Sequence, residues 1–377
     1  MPDTELGKPL LNAVSANARQ LYLLLRCINF GLYAQIQISE EGLRFNIADS
    51  SVVEGFAFLE RTLFTSFAYN YIQPQTSSQT PQNGEDDDHE TNEPPPFQIS
   101  LPSLLETLQI LGLTDTTRNE RFSRDPSGPS AHTTSLPNRN AFSSHILGLP
   151  SSGLCRLTYD SPGAPLRIHI TEPSFTTTCE LTTYEPPPYT SAHDTTIPFA
   201  RDRLALKIIM RSAYLHNAFS ELASTNAERI TLLAKRTKPY FVLSAEGPLG
   251  EASVEFSTPT TPVNASFRSA EDGGDVDIPA PLLETFQVGE TRCRQSYKFG
   301  LVRHAARAMQ IATKVSVRVD EQGVLSLQFM IEVEGGDAQG AAGVSFVDFR
   351  FVPFIEDEEG EEGESQEGED EGQTESE

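Results

Sequence analysis

Leu11-Asn-Ala-Val-Ser-Ala-Asn-Ala-Arg-Gln-Leu-Tyr-Leu-Leu-Leu-Arg-Cys-Ile-Asn-Phe30 is followed, after a short gap, by Gly42-Leu-Arg-Phe-Asn-Ile-Ala-Asp-Ser-Ser-Val-Val-Glu-Gly-Phe-Ala-Phe-Leu59. In the first stretch Leu21, Leu24, Leu25 and Ile28 recur at the spacing of one helix face. The second alternates apolar and polar residues with the two-residue period of strands. Read outward, a helix precedes strands at Tyr33 to Ser39, Leu43 to Ala48, Val52 to Leu59 and Leu63 to Ile72. A helix with one stripe to bury, set beside strands with one face to bury, predicts an α+β arrangement.

The same texture returns along the chain. Leu166 to Ile170 and Phe175 to Tyr184 read as strands, as do Arg203 to Met210, Arg229 to Lys235, Tyr240 to Glu246, Lys314 to Asp320, Val324 to Val333 and Val344 to Phe354. Helical spacing appears again at Leu101, Leu104, Leu105 and Leu108, ending at Gly112, where Ser103 and Glu106 have the spacing of a capping box. It appears at Leu215, Ala218, Phe219 and Leu222, and over Phe299 to Gln310 with Val302, Ala305, Ala306 and Met309 on the apolar side. The pattern predicts a βαβββ unit occurring four times, two in each half.

Segments rich in Pro, Gly, Ser and Thr interrupt this order near 73–96, 114–150 and 257–277, and read as insertions. Glu185 to Pro198 contains a run of prolines, which favours an extended chain, and reads as the connector between two domains. The expected division is 1–184, 185–198 and 199–356, then a tail over 357–377. At 377 residues the chain has length for two or three cores. No apolar run approaches the ~20 residues of a membrane span, and no secretion signal opens the chain, so a soluble intracellular protein is predicted. Cys27, Cys155, Cys179 and Cys293 lie far apart without a CxxC pair and read as ordinary thiols.

The formal charge of −25 is unevenly placed. Thirteen acids and no Lys or Arg lie in Glu356 to Glu377, six acids lie in Gln73 to Pro96, and Glu271, Asp272, Asp275 and Asp277 add four. Outside these segments 30 acids face 28 bases, so the folded body is near neutral and free to gather cations on one surface. For the tail two readings stand: a solvating end, or a segment for protein docking or phosphorylation.

The cations point to a polyanion. Arg303, Arg307 and Gln310 of the fourth helix and the adjoining Lys314 fall at i, i+4, i+7 and i+11, a single stripe, with Lys298 and His304 nearby and no acid between Lys298 and Lys314. Like charges four apart on a helix cost roughly 0.2–0.5 kcal/mol, a cost that phosphates would offset. Arg19 and Arg26 share a face of the first helix, and Arg211 stands at the start of the third with His216 and Asn217. The second helix breaks the pattern with Glu106, Thr107 and Gln109. Each stripe alone also fits a solvated helix face; helices sharing one layer would neutralise phosphates without reading bases. Two domains make an arc, and a head-to-tail ring joined through strand edges would enclose a duplex.

These residues resemble a known family. Leu11 to Phe30, Gly42 to Leu59 with the aromatics Phe56, Phe58, Phe64 and Phe67, Leu101 to Gly112, Lys314 to Asp320, Gly323 to Ile331 and Val347 to Phe354 are similar to the Rad-one/Rec-one subunit of the nine-one-one DNA-damage checkpoint sliding clamp. The resemblance covers nearly the whole chain apart from insertions and tail. It implies a sliding-clamp fold of two tandem domains with helices on the inner concave face. The implied partners are two homologous clamp subunits of the Rad-nine and Hus-one types, a checkpoint clamp loader, and double-stranded DNA with primer-template junctions. It also implies nuclear residence, no cofactor, and no membrane or small-molecule ligand. The insertions depart from the compact replicative clamp.

Members of this family have been proposed as 3′ to 5′ exonucleases, a chemistry needing several carboxylates around two metal ions. Asp3 with Glu5, and Asp86 to Asp88 beside His89, are the nearest candidates, and both sit in segments read as too loose to fix a metal pair. Gly31, Gly42 and Gly55 read as turn or strand-end residues rather than a phosphate loop. Ser50 with Ser51 lacks the strand-turn-helix context of a nucleophile. Lys235-Arg-Thr-Lys238 reads as a turn between strands before it reads as a nuclear import signal. The expectation is a non-catalytic subunit, with a nuclease as the alternative.

Overall fold

The computed structural model describes residues 8–71, 93–112, 154–171, 176–186, 196–256, 282–289, 292–334 and 342–354. The first unit comprises β1 (Leu11–Ser15), α1 (Ala18–Arg26), β2 (Tyr33–Ile38), β3 (Gly42–Asp49) and β4 (Val53–Glu60), after which β5 (Ser66–Tyr69) returns to pair with β1. The second comprises β6 (Phe97–Ser100), α2 (Leu101–Gly112), β7 (Leu154–Tyr159), β8 (Leu166–Thr171) and β9 (Thr176–Leu181). The third has β10 (Leu204–Arg211), α3 (Ser212–Leu222), β11 (Arg229–Lys235), β12 (Phe241–Gly247) and β13 (Gly250–Phe256), with β14 (Leu283–Val288) returning to β10. The fourth has β15 (Arg292–Lys298), α4 (Phe299–Val302), α5 (Ala306–Ile311), β16 (Lys314–Asp320), β17 (Leu325–Glu334) and β18 (Ala342–Phe351). The expected βαβββ unit is present four times.

Units within a half exchange their first strands. β1 joins β7, β8 and β9 of the second unit, while β6 joins β2, β3 and β4 of the first. β10 and β15 make the same exchange in the second half. No unit can bury its apolar face alone, because its first strand completes the other unit's sheet. The helices pack in pairs, α1 on α2 and α3 on α5. α1 is capped by Asn17, whose Oδ1 accepts from the Gln20 amide at 3.0 Å, and its stripe Leu21, Leu24, Leu25 and Ile28 is buried. Leu215, Ala218, Phe219 and Leu222 of α3 are buried as their spacing requires.

The two halves share one sheet. β18 pairs antiparallel with β4 from Val347↔Ala57 to Phe351↔Val53, giving a nine-stranded sheet in the order β14-β10-β16-β17-β18-β4-β3-β2-β6. β4 is the last strand of the first unit and β18 the last of the fourth. Their counterparts, β9 and β13, are edges of the five- and four-stranded sheets.

Several expectations need correction. The helix read over Phe299 to Gln310 is broken by a 3₁₀ turn at Arg303–Ala305. α2 begins at Leu101, and Ser100 replaces the Ser103–Glu106 box: its Oγ accepts from the Ser103 amide at 3.4 Å. The strand read over Leu63 to Ile72 starts with a 3₁₀ turn at Arg61–Leu63 and is confined to β5. Gly42 has a positive φ of 152°, and a Cβ there would meet the Leu59 carbonyl oxygen at 2.2 Å. Gly55 is in mid-strand, where a Cβ would stand 2.8 Å from the Phe30 ring. Ser50 and Ser51, both at positive φ, turn the β3–β4 hairpin, and, as the turn reading of Lys235 to Lys238 expects, Lys235 ends β11 and Arg236 to Lys238 lie in the connection to β12. The insertions apart from 93–96, the connector apart from 185–186 and 196–198, and the tail lie outside the described residues.

Candidate nucleic-acid interface

Cations of both halves meet at their joint. Cys27, buried at the end of α1, has its thiol pushed up to about 12 by burial, against the opposing pull of Arg307 and Arg26. An aromatic contact brings the segment just after α1 beside the helical part of the fourth unit. Phe30 stacks on His304 of the 3₁₀ turn with centroids 4.9 Å apart, and Phe349 of β18 lies 6.2 Å from Phe30. Burial lowers the His304 pKa below its ordinary 6.5, with Asp49 opposing. Arg303 and Arg26 are exposed, Arg26 over the Tyr22 ring at 5.5 Å. Arg307 is half-buried, and its Nε has no hydrogen-bond partner among the described residues.

The other expected cations are dispersed. Arg19 is half-buried in the first turn of α1. Arg211 faces Lys314 in the β10–β16 register, and Lys314 Nζ is 2.7 Å from Glu284 Oε2. Lys314 opens β16 rather than extending the helix, and the 3₁₀ turn breaks the helical phase, so Arg303, Arg307, Gln310 and Lys314 are not one straight stripe. Lys298 ends β15 opposite Arg229, both exposed, while their neighbours Tyr297 and Ile230 are buried. By strand alternation Lys298 stands on the sheet face turned from the helices. The cations brought together are Arg26, Arg303 and Arg307 at the joint, and Arg211 with Lys314 farther along.

A second charged group on the joint escapes a reading of the sequence. On the face of β4 and β18 opposite Val347 and Phe349, Arg350 stands across from Glu54. Glu54 is fully buried: its carboxylate accepts from Asn46 Nδ2 and from the Ile197 amide, each at 3.0 Å, and burial raises its pKa. Arg350 donates to the Ile197 carbonyl at 2.8 Å, so one residue of the connector ties both charges. The Phe56 ring lies between two guanidiniums, Arg44 at 4.6 Å and Arg350 at 5.0 Å. Asp348, raised by burial, accepts from Ser326 at 2.9 Å and lies 3.8 Å from Arg318. Asp320 receives the Ala200 amide at 3.1 Å. The signal in the sequence was Asp348 and Arg350 alternating with Val347, Phe349 and Phe351, which puts charge on one face and aromatics on the other.

Among the described residues, no three His, Cys, Asp or Glu side chains converge as a metal site. Asp3, Glu5, Asp86 to Asp88 and His89 lie outside them. No helix among the described residues is long and apolar enough to cross a membrane.

Comparison with known proteins gives the lineage. DNA damage checkpoint control protein rad1 of Schizosaccharomyces pombe is 29% identical over 336 residues, 89% of this chain and 84% of its own. Cell cycle checkpoint protein RAD1 of Homo sapiens is 26% identical over 337 residues, 89% of each chain. DNA repair exonuclease REC1 of Mycosarcoma maydis is 25% identical over 205 residues, 51% of this chain and 42% of its own. Among solved structures, Proliferating Cellular Nuclear Antigen from Entamoeba histolytica aligns with a TM-score of 0.57 at 12% identity, over 92% of this chain and 100% of its own. PCNA from Thermococcus kodakaraensis gives 0.54 at 16%, over 91% and 100%. At such identities the likeness establishes the fold, that of a sliding clamp. The sequence profile described as "Repair protein Rad1/Rec1/Rad17" matches residues 10–331. Because that match runs from the start of β1 into β17, through both halves and the cationic joint between them, the chain belongs to the Rad1/Rec1/Rad17 family of repair proteins.

Proposed function

We propose that this chain is a non-catalytic subunit of a DNA-encircling checkpoint clamp, acting in the nucleus in DNA-damage signalling and repair. The observation that carries the reading is the Phe30–His304 stack, which joins the segment just after α1, with Arg26 at its last turn, to the turn of the other half that carries Arg303 and leads to Arg307. Such cations neutralise phosphates whatever the bases. In this reading two tandem clamp domains, 1–184 and 199–356, flank the connector, and the named relatives supply the checkpoint role.

Ring closure follows from the repeat. The last strands of the first and fourth units, β4 and β18, pair inside the chain; those of the second and third, β9 and β13, are edges. Two homologous subunits, of the Rad-nine and Hus-one types, would pair with these edges in the same antiparallel manner and complete the ring that a clamp loader opens. Replacing Arg26, Arg303 and Arg307 with Glu tests the DNA surface in the assembled ring. The expected result is intact assembly with retention on circular duplex reduced, and a log–log salt slope shallower by about 0.9 per lost contact. An unchanged slope would remove these residues from the interface.

One observation favours a second reading, the relative named as a DNA repair exonuclease. It predicts metal-dependent loss of terminal nucleotides by the purified chain, abolished by one defined carboxylate substitution. If no such substitution abolishes the loss, the activity belongs to a contaminant.

A further inference from the structure

On the face of the four-stranded sheet turned from the helices, β15 and β11 set like charges against each other. Arg292 is directly opposite Lys235 and Lys298 directly opposite Arg229, with Arg294 between them, opposite Leu233. Like charges directly opposite on one face are destabilising. None of these five cations is in the ion pairs formed among the described residues. Of the acids of the same face, Glu246 on β12 is directly opposite Arg229 without forming an ion pair with it, and Glu251 and Glu255 stand on β13, two strands from β11.

The described chain ends on this patch. After β18 it crosses to the free edge of β15, where the Phe354 amide donates to the Ser296 carbonyl at 2.8 Å, between Arg294 and Lys298. The Arg229 guanidinium lies over the Phe354 ring at 5.4 Å. Two residues later begins a run with acids at 356–359, 361 and 362, and thirteen acids follow Phe354 in all. Six extended residues span at most about 20 Å, the length of β15, so the first acids reach every cation of the patch. A short tether also holds them at an effective concentration in the millimolar range.

We propose that the acidic C-terminal segment, residues 356–377, docks on this face of its own chain, laying carboxylates along Arg229, Lys235, Arg292, Arg294 and Lys298. The like-charged rows are thereby neutralised from within, and the outer face is closed to nucleic acid. The inference is independent of which surface meets DNA in the proposed ring.

Zero-length carbodiimide coupling of carboxylates to amines on the full chain, mapped by mass spectrometry, tests it. At low salt, coupling of 356–377 to Lys235 and Lys298 should exceed coupling to Lys8 and Lys207 by about tenfold, and should fall toward parity near 1 M salt, where screening acts within about 3 Å. Arg292→Glu with Arg294→Glu leaves both lysines in place and should suppress it. A chain whose tail acids are changed to Gln and Asn, which leaves the folded body untouched, should gain salt-sensitive binding of duplex DNA that Arg294→Glu removes. Even coupling over all lysines would overturn the proposal. So would coupling between chains in an isotopically mixed sample, which makes a second copy the occupant. Equal use of this face by DNA with native and neutralised tails would make DNA the occupant and overturn it as well.

Discussion

Arg350 and Arg303 both stand at the joint between the halves, one on each side of the shared sheet, and their surroundings could hardly differ more. Arg350 faces Glu54 in register, holds the Ile197 carbonyl and lies on Phe56. Arg303 is exposed, with no ion pair among the described residues. Each charge on the connector side is met by another charge, an amide or a ring, whereas Arg303 and Arg307 on the helix side form no ion pair among the described residues. If the proposed function holds, matching inside the molecule makes a cation structural and lack of matching leaves it for binding.

Removing one member of the matched group should have the largest effect. Glu54→Ala leaves the Asn46 and Ile197 donors without their acceptor in a buried site and removes the charge across from the half-buried Arg350, a loss that costs about 2 kcal/mol or more. Urea unfolding followed by circular dichroism measures it. A loss below about 0.5 kcal/mol, the range of ordinary surface changes, would mean that the connector side is no more structural than the helix side.

The next prediction concerns the aromatic link. Gly55→Ala puts a methyl 2.8 Å from Phe30, and the ring must shift off His304 or β4 must move off β18. Overpacking of this kind costs typically about 1–3 kcal/mol. Phe30→Leu in the same background should recover part of the loss, a non-additivity that a double-mutant cycle reads directly.

These two residues also show where sequence stops. The buried stripes of α1, α2 and α3 and the alternation of β2, β3, β16 and β18 were legible because burial there follows the period of the element, whereas β4 was legible from its residues although its first five are all buried. β14 and β15 were not: Leu-Glu-Thr-Phe-Gln-Val exposes part of both faces, and Arg-Cys-Arg-Gln-Ser-Tyr-Lys has only Cys293 and Tyr297 as apolar residues to mark its buried face. β1 and β6, five and four residues long, fall below the length at which a period can be read. Nothing local marks Glu54 as buried, because the amide that holds it is 143 residues away. The 3₁₀ turn escaped for the same reason: Phe30, which stacks on it, belongs to another unit. Of the candidate interface, the residue types were visible but not their grouping. A seven-residue step from Arg307 to Lys314 has meaning only along an unbroken helix, and Lys314 is in a strand.

Titration sharpens the contrast by its sign. Burial raises the Glu54 pKa above the ordinary 4.5, so the native state holds a proton that the unfolded chain has released. Between the ordinary value and the raised one, ν_N exceeds ν_U, and stability falls as pH rises. Glu54→Gln carries no such proton, so the stability of the native chain minus that of the variant should decline as pH is raised from about 4.5. Parallel urea titrations of both proteins across that window check it; a difference that grows with pH would show that attraction to Arg44 and Arg350 outweighs burial.

The smallest effect is expected at Arg303, where the comparison is most exposed to failure. Arg303→Ala removes a solvated side chain that forms no ion pair in the folded chain, so unfolding free energy should move by no more than about 0.5 kcal/mol. If its role is to meet a phosphate, the same substitution should flatten the salt dependence of DNA retention by about 0.9 in log–log slope while retention still varies little with sequence. Stability and binding then separate in opposite ways at the two faces: Glu54→Ala damages the fold whether or not DNA is present, and Arg303→Ala is silent until DNA is added. A change in unfolding at Arg303 as large as that at Glu54, with the salt slope untouched, would place this cation among the structural ones and leave Arg26 and Arg307 alone to carry the contact between the two halves and a phosphate.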